Sequence, residues 1–97
     1  MLARVVDVQF QPGTVEEAVK IVRDDILPVI RKQKGFRGQL LLTRADSGKA
    51  LSLNLWETEA DLSAFEISDL YRELMGRLAD VLEGPSAGER YEVSVKA

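Results

Sequence analysis

Few side chains in this sequence can do chemistry, because two of the usual types are missing. There is no His and no Cys. That excludes imidazole bases, Ser-His-Asp triads, thiolate nucleophiles, disulfides, Cys-ligated zinc or iron–sulfur sites and His-ligated haem. Carboxylates, Arg, Lys, Tyr, Trp, Asn or a reactive substrate must carry any reaction. Four residues are candidates for a site. Trp56, the only Trp, can wall a flat aromatic pocket, or it can anchor a core or a subunit seam. Asn54 shares its strand face, and an amide there is costly unless satisfied, so it bonds a neighbour or reaches ligand or water. Tyr71 can donate to a substrate oxygen or simply join the Leu74 and Leu78 stripe. Arg4 can hold a phenolate or other oxyanion, or pair with an acid at the rim.

The remaining polar signals have plainer explanations. Asp7 is the only acid well inside a predicted strand; it can be a base or form an ion pair at a dimer interface. Arg44, at the end of a strand, resembles Arg4 in role. Glu16, Glu17 and Asp61 sit at helix starts, where the dipole explains them. Gly35-Phe36-Arg37-Gly38 lacks both the spacing and the following helix of a phosphate cradle. No carboxylates have metal-site spacing, so neither a metal nor a cofactor is expected.

The 97 residues carry 13 Lys plus Arg against 16 Asp plus Glu, a net charge of −3, and are 45% apolar. That is one domain spanning 1–97. Area scaling gives roughly 5,500 Å² accessible folded against roughly 15,700 Å² unfolded, enough burial for a core. The interspersed charges form no basic face for nucleic acid. Arg31, Lys32, Lys34 and Arg37 cluster where a helix ends, and there they complement its dipole. No apolar run approaches the roughly 20 residues of a membrane span. Arg4 and Asp7 interrupt any signal-peptide core, so a cytoplasmic location is expected.

The elements that must position these residues follow from periodicity. Leu2–Phe10 alternates as a strand, with Arg4, Val6, Val8 and Phe10 on one face and Ala3, Val5 and Asp7 on the other. Thr14 to Glu17 matches a capping box, opening a helix through Val15, Ala18, Val22, Ile26 and Ile30. Pro28 predicts a kink or break just before it, and Gly35 an end. Phe36–Arg44 and Ala50–Glu57 are strands joined by an Asp46-Ser47-Gly48-Lys49 turn. Thr58 caps a short helix, and Ser68 restarts a longer one through Leu70, Leu74, Leu78 and Leu82, closed by Gly84-Pro85. Tyr91, Val93 and Val95 alternate as a fourth strand.

The order is βαββαβ, the split pattern of an α+β ferredoxin-like fold with a four-stranded antiparallel sheet. Helices cover only one face of such a sheet, yet both faces here carry apolar residues. The bare face would expose several of Val5, Leu41, Leu51, Leu53 and Leu55. A symmetric partner is the simplest cover, giving a homodimer packed through its sheet faces. Hiding about 600 Å² of apolar surface per protomer is worth on the order of 15 kcal/mol, against association costs of about 4–15 kcal/mol. Strand four, with Glu92 and Lys96, would sit at the rim.

The segments Gly35-Phe36-Arg37-Gly38-Gln39-Leu40-Leu41-Leu42, Asp46 to Ala50 and Leu55-Trp56-Glu57-Thr58-Glu59-Ala60-Asp61-Leu62 resemble the antibiotic biosynthesis monooxygenase (ABM) family. The resemblance covers essentially the full length and implies the dimeric α/β-barrel architecture. It further implies either cofactor-free oxygenation of phenolic or quinol-type aromatics or oxidative haem breakdown; many members have no known reaction. Haem-degrading members place an Asn, a Trp and a His where alignment puts Val6, Phe65 and Met75, so their functional types are absent. Two readings stand. One is a cofactor-independent monooxygenase using Trp56, Asn54, Tyr71 and Arg4 on a small aromatic. The other is a non-catalytic homodimeric module that binds a small hydrophobic ligand. A pocket of several hundred Å³ near Asn54 or Tyr71 would favour a ligand; a filled core would favour the structural role.

Overall fold

The computed structural model of the protein describes residues 1–84 and 86–97. Four strands form one antiparallel sheet: β1 Leu2–Gln9, β2 Phe36–Thr43, β3 Lys49–Trp56 and β4 Ala87–Glu92, in the order β2-β3-β1-β4. The register runs Leu2↔Trp56 to Gln9↔Lys49 between β1 and β3, and Leu2↔Glu92 to Asp7↔Ala87 between β1 and β4. The three β1–β3 strand ends match the sequence reading within a residue or two. At the β2–β3 hairpin, Gly48 adopts φ 75° as its turn chemistry requires.

Strand β4 differs from expectation. It begins at Ala87 and ends at Glu92, so Val95 lies beyond it and is 91% exposed. The cause is the partner strand: β1 begins at Leu2, opposite Glu92, and one further bond from Val93 N–H to the Met1 carbonyl exhausts it. Alternation alone cannot see where a neighbour stops.

Between β1 and β2 the helical region is α1 Val15–Ile21, a π-helical turn Val22–Ile26, and α2 Leu27–Ile30. Pro28 has no N–H, and its ring crowds the carbonyl four residues back. The chain answers by widening one turn just before it, where the sequence predicted a kink or break. The capping box at Thr14 does not form. Thr14 Oγ1 instead donates to the Gln11 carbonyl at 2.7 Å. Thr58 and Ser68 do cap their helices, α3 Glu59–Glu66 and α4 Asp69–Leu78, accepting from the Asp61 and Tyr71 N–H groups at 3.1 Å. Helix α4 stops four residues before Leu82. Residues 81–83 instead bond the end of β1: Gln11 N–H to Val81 carbonyl, Glu83 N–H to Gln9 carbonyl, and a bridge between Phe10 and Leu82. Gly84 takes φ 80°, and the expected role of Pro85 lies outside the described residues.

All helices lie on one side of the sheet. Val6, Phe10, Ala50 and Trp56 from the sheet meet Ala18, Ile26, Ile30, Leu62, Phe65, Leu74 and Leu78 from the helices in the core. Leu41 also packs there, so it belongs to the covered face. The opposite face is bare and apolar. Leu40 and Leu42 replace Leu41 on it, at 60% and 49% exposure, beside Leu51, Leu53, Leu55, Val5 and Tyr91.

Candidate functional site

The covered face of the sheet is not uniformly apolar. Alternation sends Arg4 of β1, Gln39 of β2, and Ser52 and Asn54 of β3 toward the helices, and the register sets Asn54 opposite both Arg4 and Gln39. Together they floor a cavity of about 70 Å³ roofed by Ile26 and Leu27 from the π-turn and α2, and by Tyr71, Leu74 and Met75 of α4. Three of the four sequence candidates, Arg4, Asn54 and Tyr71, therefore meet around one space.

Each polar group on the floor has a specific partner. Trp56 Nε1–H donates to Asn54 Oδ1 at 2.7 Å, with Trp56 0% and Asn54 4% exposed. Gln39 Nε2 donates to Ser52 Oγ at 2.9 Å and to the Leu40 carbonyl at 3.1 Å. Arg4 Nη2 donates to the Tyr71 hydroxyl at 2.7 Å, and its guanidinium carbon lies 5.2 Å from the centre of that ring. Arg4 Nε donates to Glu66 Oε2 at 2.9 Å, while Arg90 of β4 holds the other Glu66 oxygen and reaches Glu59. Among the described residues no buried side-chain nitrogen or oxygen lacks a partner.

Trp56 does not wall the cavity; it stands behind it. Phe65 stacks on Trp56 at 5.0 Å and 29°, and Tyr71 meets Phe65 edge-on at 5.3 Å and 85°. Phe36 packs edge-on against the other side of Trp56 at 5.7 Å. This row of rings, with the Trp56–Asn54 bond, fixes the amide and Tyr71 relative to one another. The residues aligned with haem-handling positions are core: Val6 is buried, Phe65 belongs to the ring row, and Met75 is part of the roof.

A second, larger concavity of about 710 Å³ lies on the bare face at the hairpin end, lined by Asp7, Gln9, Leu42, Arg44, Lys49 and Leu51. It is a broad hollow of the open sheet surface, with both charge signs and no converging set. Asp7 and Arg44 are thus separated from the Arg4 cluster by the sheet itself. Among the described residues, no cluster of acidic groups could hold a metal ion, and no helix is long and apolar enough to cross a membrane.

Sequence reasoning left Glu66 and Arg90 unnamed and gave Gln39 no role in a site. Ser52 was findable, since it shares the two-residue repeat of Asn54 and Trp56. Glu66 and Arg90 were not, because an acid near a helix end and an Arg on an edge strand carry no local signal; only the tertiary fold joins them to Arg4.

The fold agrees with solved structures. A monooxygenase from Streptomyces coelicolor in complex with the ligand nanaomycin D is 20% identical, with 99% of this chain and 89% of that chain covered and a TM-score of 0.84. A protein of unknown function from Nitrosomonas europaea is 21% identical over 99% and 91% of the two chains, with a TM-score of 0.80. A conserved protein from Methanosarcina mazei Go1 is 20% identical over 94% and 91%, with a TM-score of 0.77. At these identities the likeness carries the fold. No curated protein matches the chain by sequence. The family description "antibiotic biosynthesis monooxygenase" matches residues 1–77, most of the chain and every candidate residue, and the chain belongs to that family.

Proposed function

We propose that the protein is a cofactor-independent monooxygenase for a phenolic or quinol-type aromatic, with its site over the Arg4, Asn54 and Tyr71 floor. One observation carries this reading: Arg4, Asn54 and Tyr71, from three separate segments, converge with Gln39 and Ser52 on one space between the sheet and the helices, with a row of aromatic rings behind it. The chemistry asks little of the protein. A phenol or quinol loses a proton, and its anion passes an electron to dioxygen; the site supplies hydrogen bonds to the oxygen and excludes water. A space of about 70 Å³ holds about two waters, so a fused-ring substrate enters only if the roof yields. The π-turn supplies part of that roof and is the irregular element over the site. Oxygen-electrode assays with anthrones, naphthols and menadiol test the proposal. Uptake above blank that is lost in Tyr71→Phe and Arg4→Gln supports it, and no uptake with any of them overturns it.

The small volume favours a second reading, a non-catalytic module taking a compact hydrophobic ligand. Native mass spectrometry of the purified protein would separate the two by showing a retained ligand without turnover.

In both readings the working unit is a homodimer of single-domain chains joined through the bare sheet face. The accessible area of 6310 Å² exceeds by about 800 Å² what is typical of a folded chain this size. The bare sheet face contributes to that excess, as does the segment after β4, where Val95 is 91% exposed. The exposed leucines of β2 and β3 supply the apolar part.

A further inference from the structure

We infer that Arg77 clasps the seam of the cavity roof and sets the size of the ring that can enter beneath it. The inference rests on the reading of the cavity as a ligand site. The roof has two halves, Val22, Ile26 and Leu27 from the first helical region and Tyr71, Leu74 and Met75 from α4. They are held very differently. The α4 half is fastened to β1 on both sides, by Arg4 Nη2 on the Tyr71 hydroxyl and, past its C-terminal end, by the Gln11 N–H on the Val81 carbonyl at 2.8 Å. The other half has a single tie. Among the described residues, the only hydrogen bond that joins Val22–Ile30 to the sheet or to α4 runs from Arg77 Nη1 to the Asp25 carbonyl, at 3.2 Å.

The clasp is preorganised and grips the roof where its backbone is least regular. Arg77 Nη2 donates to Glu73 Oε1 at 2.9 Å, one turn back on α4, and this aims Nη1 across the seam. Asp25 belongs to the π-helical turn, and Pro28 just beyond it supplies no N–H to the helical ladder. Packing of Ile26 and Ile30 into the core carries the rest of the attachment, and such apolar contact is non-directional. The closed roof leaves about 70 Å³, so any ring that enters must part the seam that Arg77 spans. A single ring parts the halves least and can leave the bond stretched but made. A fused pair parts them further and must break it. A hydrogen bond from a charged donor makes the parted state about five- to ten-fold rarer, and the larger ring bears that whole factor.

Hydrogen exchange read by mass spectrometry and ring binding read by calorimetry test this on the full chain. Arg77→Met keeps the aliphatic stem and removes the donor. Arg72→Met, on the same helix, removes an equal charge from a residue whose partner is Asp69, and serves as the control. The amides of Val22–Ile30 should exchange about five- to ten-fold faster in Arg77→Met, with those of β1 and β3 unchanged and no acceleration in Arg72→Met. Affinity for 2-naphthol relative to phenol, both uncharged at neutral pH, should rise several-fold in Arg77→Met and hold steady in Arg72→Met. Equal exchange in Arg77→Met and the parent, equal acceleration in Arg72→Met, or acceleration spread over the whole chain would overturn the inference. So would binding of both rings with an unchanged ratio, an outcome that leaves the ligand reading standing. Binding of neither ring to either protein sinks the ligand reading instead, and exchange alone then decides whether Arg77 holds the roof.

Discussion

Replacing Asn54 by Leu tests whether the Trp56–Asn54 bond holds the site together. The indole N–H of Trp56 is fully buried, and Asn54 Oδ1 at 2.7 Å is its acceptor. Asn54→Leu keeps the branched four-atom shape but leaves that N–H without a partner, at a cost of about 1–3 kcal/mol. For a domain of this length each kcal/mol moves Tm by about 4–8 °C, so a loss near 2 kcal/mol lowers Tm by about 8–16 °C. Trp56→Phe should cost at least as much, since it orphans the Asn54 carbonyl oxygen and removes ring contacts with Phe36 and Phe65. In the double variant neither polar group remains, so the two losses should fall short of additivity by about 1–2 kcal/mol. Thermal melts followed by far-UV circular dichroism give all four corners of the cycle. Protein concentration must be held fixed, because association would make Tm depend on it. An Asn54→Leu variant melting within a degree or two of the parent, or strictly additive losses, would refute the reasoning.

Three further outcomes are expected. Leu51→Lys, which places a charge amid the bare-face leucines, should shift light scattering from twice the 10.8 kDa chain mass to that mass; at about 2 kcal/mol per protomer the weakening is roughly 10³-fold, and an unchanged dimer would exclude this face as the interface. The Tyr91 phenol titrates above the usual 10.0, first because its hydroxyl donates to Glu89 and then because of the Glu89 charge; the stability from this contact is complete below pH 10 and disappears as pH rises through the elevated value. Absorbance titration in a Tyr71→Phe background should show Glu89→Gln returning Tyr91 toward normal, and no change would mean the contact is not made. Gly35 sits at φ 83°, and a Cβ there would overlap the Asp61 carboxylate, so Gly35→Ala should cost about 1–3 kcal/mol in a urea titration; a neutral result would contradict that geometry.

The sequence made the fold legible where local and tertiary preferences agree. Alternation placed β1, β2 and β3, and Thr58 and Ser68 announced their helices, because each of those signals is satisfied within a few residues. Legibility failed where a distant partner decides. Thr14 has the residue types of a cap, yet its hydroxyl is claimed by Gln11. Helix α4 yields its last turn to the end of β1, and β4 ends because β1 does. The site was half legible for the same reason. Arg4, Asn54 and Tyr71 were candidates by type, but Glu66 and Arg90 join them only through contacts 62 and 24 positions apart in sequence.

The π-turn has a consequence for how the first helical region is wound. Its inward residues, Val15, Ala18, Val22, Ile26 and Ile30, are spaced by three and then by four, four and four. At 100° per residue each step of four overshoots a full circle by about 40°, so three in succession would carry Ile30 about 120° around the axis from Ala18, off the core. One wider turn takes up that surplus, and Ile26 and Ile30 both end buried. The region is in effect a regular helix carrying one extra residue. Deleting a single residue from Arg23–Asp25 would therefore return the inward side chains to alternating steps of three and four, leaving Pro28 as the remaining source of irregularity in the roof of the cavity.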